Sequence, residues 1–320
     1  MASGGTGAST SGAGEAAIEG GAAGGPAGEP DSGAAGEPEP GSTGGAGGSG
    51  NDCVSPSELG GHVYYSTLPT EAVAAEIRVI TSAGDQSFTL GQNPKLAPDG
   101  AHLAFQRGRR AVTDLSTADL WMRDMATGDE VSLYTNTAEH QVGYAFSADG
   151  TRLLYDWSCG QYSMDLSGGS DATLFQDTCY DDAPALRPVA NGGLAYHNQS
   201  GIMLRDAAFQ NKVALANTLA GDYWPAWSPD GQYLAFCHWT NDDVCTYHRT
   251  GADGSARTSL GATTGWATLA FSADGSKVAT GGLKDGAGGV HVFAADGSGY
   301  LGVVCGTSET VEFVGSITAD

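Results

Sequence analysis

Trp224-Pro-Ala-Trp-Ser-Pro-Asp-Gly-Gln-Tyr-Leu-Ala-Phe236 is the stretch on which the reading of this 320-residue chain turns. Pro229 fixes a negative φ, Asp230 bonds the neighbouring backbone, Gly231 takes the φ > 0 position, and a short apolar strand follows. The phrase has four further copies: Asn93-Pro-Lys-Leu-Ala-Pro-Asp-Gly-Ala-His-Leu-Ala-Phe105, Gly143-Tyr-Ala-Phe-Ser-Ala-Asp-Gly-Thr-Arg-Leu-Leu-Tyr155, Ala183-Pro-Ala-Leu-Arg-Pro-Val-Ala-Asn-Gly-Gly-Leu-Ala-Tyr196 and Trp266-Ala-Thr-Leu-Ala-Phe-Ser-Ala-Asp-Gly-Ser-Lys-Val-Ala-Thr280. Turn glycines at 100, 150, 192, 231 and 275 are spaced by 50, 42, 39 and 44 residues. Such a period holds about four strands and is the size of a propeller blade. The repeated aspartates at 99, 149, 230 and 274 therefore read as turn formers and are assigned no chemistry.

Outward from each turn the pattern continues. Third strands are expected at 118–124, 201–206 and 289–294, and weaker fourth strands at 130–134 and 212–216. No 3.6-residue apolar period is sustained anywhere, so long amphipathic helices are excluded. Trp227, Phe146 and Phe271 fill the aromatic slot before the turn and are expected between blades. At the chain ends, 62–66 and 76–80 read as second and third strands with no first strand before them, whereas 310–316 reads as a first strand with nothing after it. The C-terminal strand is therefore expected to supply the innermost strand of the first blade, closing a ring of six blades with no open edge.

The repeated phrase, best kept at Trp224 to Phe236 and poorest around Pro188, resembles the TolB-like, WD-like propeller repeat over residues 59–320. The resemblance implies an all-β, six-bladed propeller. Propellers of this type serve as binding platforms, as regulatory caps on peptidases and sometimes as enzymes, so the resemblance speaks to fold rather than activity.

Two regions are expected: a linker at 1–52 and the propeller at 53–320. Residues 1–52 are almost wholly Gly, Ala, Ser, Thr, Pro and Glu, with no Lys, Arg or aromatic residue. Such a composition buries too little surface to offset chain entropy and reads as a disordered acidic tether. It resembles the spacers that follow the lipidated cysteine of surface lipoproteins in some bacteria. No lipobox cysteine or apolar signal segment follows Met1. Either a signal peptide and lipid anchor belong upstream of this chain, or the protein is cytosolic.

Six cysteines, at 53, 159, 179, 237, 245 and 305, favour an oxidising, extracytoplasmic location in the periplasm or at the cell surface. Six allow fifteen pairings. Cys237 and Cys245 flank a polar hairpin loop, a Cys53–Cys305 bond would staple the ring closure, and Cys159 and Cys179 remain for each other. The rival is metal ligation, but there is no Cys-x-x-Cys, and His238 and His248 do not complete a recognisable ligand spacing.

A formal net charge of −23 argues against nucleic acid as partner. Seven of the 37 acidic residues lie in the first 52 positions, leaving 30 against 14 Lys and Arg, so the propeller is acidic in its own right. No apolar run approaches the length that spans a bilayer. The expected state is a monomer with a protein or glycan partner.

In a propeller, the loops entering each inner strand and those between second and third strands share one face around the channel. They place His140, Tyr144, Asp181, Asp182, Asp222, Tyr223, Trp224, Trp266, His197, His238 and Trp239 there as the candidate ligand-binding set. Aromatics with convergent polar groups are the usual make-up of a concave site. The arginines at 107, 109 and 110 offer either a carboxylate grip or internal pairing. Calcium at Asp181–Asp182 or Asp242–Asp243 is the weaker cofactor reading; solvated loop carboxylates are preferred because no Asp-x-Asp-x-Asp-Gly loop exists. No cofactor and no catalytic residue are assigned. There is no Gly-x-Ser-x-Gly elbow and no close histidine pair. The expectation is a non-catalytic binding propeller. The alternative is a propeller polysaccharide lyase or glycoside hydrolase drawing on channel-face His140, His197, His238 and aspartates.

Overall fold

The turns form as their chemistry dictates. In this computed structural model, backbone N–H groups of Gly100, Gly150, Gly231 and Gly275 donate to the carbonyl three residues back at 2.8–2.9 Å. The four glycines sit at φ between 66° and 72°, where a Cβ would be strained. Asp149, Asp230 and Asp274 each accept the hydroxyl of the serine two residues earlier at 2.6 Å. Each also accepts the backbone N–H two residues on, at 3.1, 3.0 and 3.0 Å. These carboxylates are thus occupied in shaping the turns.

The structure describes residues 53–67, 75–107, 119–134, 143–157, 160–166, 172–176, 182–189, 192–240, 243–265, 268–307 and 311–319. The expected linker at 1–52, together with His140, Asp181, Trp266, Cys159 and Cys179, lies outside them. Residues 49–320 separate from 1–48 as one unit.

Six antiparallel blades follow, each a sheet of at least four strands. Blade 1 is built from Val311–Ala319, Gly61–Thr67, Glu76–Thr81 and Gly84–Leu90, inside to outside. Blade 2 runs Gln92–Leu96, His102–Arg107, Asp119–Asp124, Glu130–Tyr134. In blade 3 the inner strand is Tyr144–Phe146, in blade 4 Asp182–Leu186, in blade 5 Asp222–Trp227 and in blade 6 Leu269–Phe271. Several outer strands are shorter than the sequence suggests, as in blade 4, where only Val213–Ala214 pairs.

The ring closes as expected and then a second time. Val311–Ala319 pairs antiparallel with Gly61–Thr67, so blade 1 takes its inner strand from the far end of the chain. In addition, Cys53–Val54 lies parallel to Val303–Val304 on the outer edge of blade 6, a strand the sequence reading did not anticipate. The Cys53–Cys305 disulfide, with a Cα–Cα distance of 5.0 Å, locks that edge. A short 3-10 turn, Pro56–Leu59, carries the chain across to blade 1. It starts with a capping box in which Ser55 and Glu58 bond each other's backbone, and it buries Leu59. A second bridge is the hairpin Leu283–Lys284/Ala287–Gly288, which grows from blade 6 yet pairs with Thr264 of blade 5.

The core is divided among the interfaces. Because each blade packs on both faces, the second strands are near-continuous apolar runs; Leu234, Ala235, Phe236 and Cys237 have no exposed surface. Leu103 and Phe105 meet Tyr64 and Ile77 between blades 1 and 2, and Leu120 meets Tyr155 and Leu153 between blades 2 and 3. Phe236 packs against Ile202 and Leu215 of blade 4, Phe293 against Tyr247 of blade 5, and Val292 and Val304 against Val63 and Val314 of blade 1. Phe146 and Phe271 are buried between blades as expected. Trp227 is partly buried and donates its indole N–H to the Ala185 carbonyl of blade 4 at 3.1 Å.

Candidate functional site

The six inner strands line a central channel with a cavity volume of about 540 Å³. Strand register shows what each blade contributes to its middle layer. Ser316 lies opposite Tyr64, Lys95 opposite Ala104, Ala145 opposite Leu154, Ala185 opposite Ala195, Ala226 opposite Ala235 and Ala270 opposite Ala279. Five small side chains and one lysine thus form the ring. Lys95 is the sole ionisable cation or acid among the channel-lining residues described.

Three inner strands carry a bulge near the mouth. Asn93, Ala183 and Trp224 have φ of 52°, 53° and 51°, and each stands immediately before a proline. Ladder register shifts at the same places, between Gln92 and Lys95, Asp182 and Ala185, and Tyr223 and Ala226. A left-handed residue in a bulge turns its side chain away from the alternation the strand would otherwise impose. For a residue as bulky as tryptophan this backbone is an outlier, held in place by its surroundings.

The bulge at Trp224 brings four sequence-predicted residues together. His197 packs edge-on against Tyr223 with ring centroids 4.8 Å apart, Tyr223 lies 5.7 Å from Trp224, and Trp224 meets Trp239 edge-on at 6.2 Å. These rings form an arc over the inner end of blade 5, from blade 4 to the side facing blade 6. Trp224 also lines the channel.

His238 and Asp222 do something else. Successive strand residues face opposite sides, so Trp239 goes with Cys237 toward blade 6, while His238 goes with Phe236 toward blade 4. There Asp222, with no exposed surface, meets His238 Nδ1 at 2.8 Å and receives Arg257 through two hydrogen bonds of 2.8 and 3.1 Å. It also accepts the Leu219 N–H at 2.7 Å. His248, its ring 6.3 Å from that of His238, is pushed down to about 4 by burial, with the Arg257 charge adding to the effect. An imidazole oriented by a buried carboxylate is an arrangement that acid–base chemistry uses. Here the carboxylate is also neutralised by an arginine that the sequence reading missed.

Tyr144 is buried between blades 2 and 3, and its hydroxyl donates to the Asn93 carbonyl, tying neighbouring inner strands; burial raises its pKa well above the usual phenol value. Asp182 begins the inner strand of blade 4, opposite His197. Arg107 pairs internally, with Glu130 at 2.6 Å and over the Trp121 ring at 4.5 Å. Cys237 and Cys245 are bonded across the second and third strands of blade 5, under the arc. Among the described residues no three His, Cys, Asp or Glu side chains come together to hold a metal ion, and no helix is long and apolar enough to cross a membrane.

Lys95 also escaped the sequence reading, although its signal was present. Aligning the five copies of the turn phrase puts it where the others carry alanine.

No protein-family profile and no curated protein sequence matches the chain. Among solved structures, it is similar to TolB from Acinetobacter baumannii, with a TM-score of 0.66 and 17% identity over 80% of this chain and 67% of that one. It is also similar to an oligogalacturonate lyase in complex with manganese, with a TM-score of 0.50 and 16% identity over 77% of this chain and 74% of that one. At such identities the likeness is one of fold. With its six blades and an inner strand of blade 1 taken from the C-terminal segment, the chain has a β-propeller fold similar to that of TolB.

Proposed function

We propose that this chain is a non-catalytic, extracytoplasmic binding propeller that takes a protein or glycan partner at the channel mouth of blade 5. The observation that carries the reading is the arc His197, Tyr223, Trp224, Trp239, with Trp224 kept in a strained left-handed backbone. Flat aromatic faces bound to a rigid wall bind sugars and apolar side chains at little entropic cost. Two disulfides among the described residues support an oxidising compartment. On this reading the protein acts as a monomer held at the envelope, with any lipid anchor upstream.

Tryptophan fluorescence titrated with envelope glycans and peptides tests it. Ligand should quench or shift emission saturably, and Trp239→Ala should weaken binding by at least tenfold when measured well below the variant's melting temperature, which falls because Trp239 also packs on the blade 5–6 core. Saturable binding unaffected by that substitution would move the site elsewhere. The Asp222–His238 pair favours one second reading, carbohydrate cleavage. It predicts turnover of an oligosaccharide that disappears in His238→Gln, and a flat assay across acidic and neutral polysaccharides removes it.

A further inference from the structure

Lys95 occupies a position unlike any other in the channel. Four alanines and Ser316 complete its layer, so nothing bulky fills the bore in front of it. Among the described residues no carboxylate lies within salt-bridge distance of its ammonium and no hydrogen bond to it is formed, although the chain carries 37 acids. The side chain is half-buried along the channel wall, and burial, with no charged partner to offset it, pushes its pKa down to about 8. A fold that tolerates an unpaired lysine in a cavity within the size range of small-ligand sites has room for the missing anion.

We propose that the channel is a binding site for a slender organic carboxylate, whose single negative charge pairs with the Lys95 ammonium inside the alanine ring. Carboxylate is favoured over phosphate by charge balance: the described channel lining offers one cation, so a dianion would leave one negative charge without a partner there. Ser316 stands in the same layer. Its Oγ accepts the Leu96 N–H at 2.9 Å, leaving its own proton to donate to a carboxylate oxygen. The site shares the channel that Trp224 also lines, but it rests on the Lys95 ammonium and not on aromatic stacking.

The pairing fixes a pH dependence. Groups facing Lys95 from the other inner strands are Ser316 of blade 1, Tyr144 and Ala145 of blade 3, Ala185 of blade 4, Ala226 of blade 5 and Ala270 of blade 6. Tyr144 is the sole titratable one, and it stays neutral because burial raises its pKa. Binding needs both the protonated amine and the ionised acid, so affinity is flat between about pH 5 and about pH 8, falls tenfold per unit above that range and falls again below the carboxyl pKa, while bound acid raises the lysine pKa.

The chain has four lysines, which makes the test direct. Reductive methylation with 13C-formaldehyde gives each a resolvable NMR signal, and Lys95→Met identifies the one of interest. Acetate, butyrate and N-acetyl-dialanine are titrated in, with acetamide, butyramide and the dialanine amide as neutral controls and inorganic phosphate as a further arm. The expected result is that the Lys95 signal moves saturably with the acids alone and its pKa rises. The acids should also raise the melting temperature of the native chain but not of Lys95→Met. The proposal is overturned if acids and amides act alike, if phosphate binds more tightly than every acid, if Lys95→Met keeps the thermal gain, or if the reagent fails to reach Lys95. Trp239, which does not line the channel among the described residues, separates the two: binding lost in Trp239→Ala belongs to the arc, binding lost in Lys95→Met to the channel, so failure at Lys95 leaves the arc reading standing.

Discussion

At the scale of single residues the repeated aspartates have become structural parts with a measurable signature. Asp149 and Asp274 are each held at about 2, first by the serine hydroxyl they accept and then by turn N–H groups. A depressed carboxyl contributes stability that is present above its unfolded value near 4 and is lost as pH falls through its folded value. Stability should therefore decline between about pH 4 and pH 2. Urea titrations across that window check this, and Ser147→Ala should raise the Asp149 pKa toward 4 by NMR. If Asp149 titrates at its ordinary value in the native chain, the account of the turn is wrong. Gly315 is constrained by close approach: a Cβ there would lie 1.5 Å from the Pro94 carbonyl oxygen of blade 2. Gly315→Ala should cost about 3 kcal/mol, as overpacking of a rigid interior does, and should lower the urea midpoint accordingly.

Among the elements, the inner strands hold the most information. Their bulges put Ala183 and Trp224 in the left-handed region. Ala183→Gly relieves that conformation, and a gain of about 1 kcal/mol in chemical denaturation is expected; a loss would mean the Ala183 methyl packs more usefully than its backbone strains. Second strands and turns were legible in the sequence because their determinants are local: an Asp-Gly pair followed by Leu-Ala-Phe forms much the same hairpin wherever it occurs. The inner strand at 311–319 was legible from an imbalance, one blade lacking a first strand and one strand lacking a blade. Two elements were not. Cys53–Val54 pairs over two residues only, and the 283–288 hairpin touches blade 5 through a single residue pair. Neither leaves a periodic trace, since proximity in the folded ring creates them. The mouth was half legible. Loop position named His197, Tyr223, Trp224 and Trp239, but alternation from a regular strand could not foresee the bulge that joins them, nor that His238 would turn the opposite way to Asp222 and Arg257.

At the scale of the whole molecule, closure depends on both ends of the folded chain. Cys53–Cys305 closes a loop of 252 residues, for which chain entropy predicts a contribution of about 5 kcal/mol. Cys305→Ser should lower the melting temperature by several degrees in a reducing-agent-free scan, and the native chain with reductant should fall toward the same value. Equal melting with and without the bond would show that the parallel strand and the 3-10 turn already hold the edge by themselves.

The same bond reroutes mechanical tension. A pull between Cys53 and the C-terminus passes through sulfur to Cys305, so the intervening residues form a covalently bypassed loop carrying no force. Only the stretch from Cys305 to Asp320 can then pay out, about 50 Å of contour at 3.3–3.6 Å per residue. With the bond reduced, the extension before full stretch grows by more than tenfold. Pulled in this way, the propeller would yield by peeling one strand from blade 1 while the other five blades stay slack.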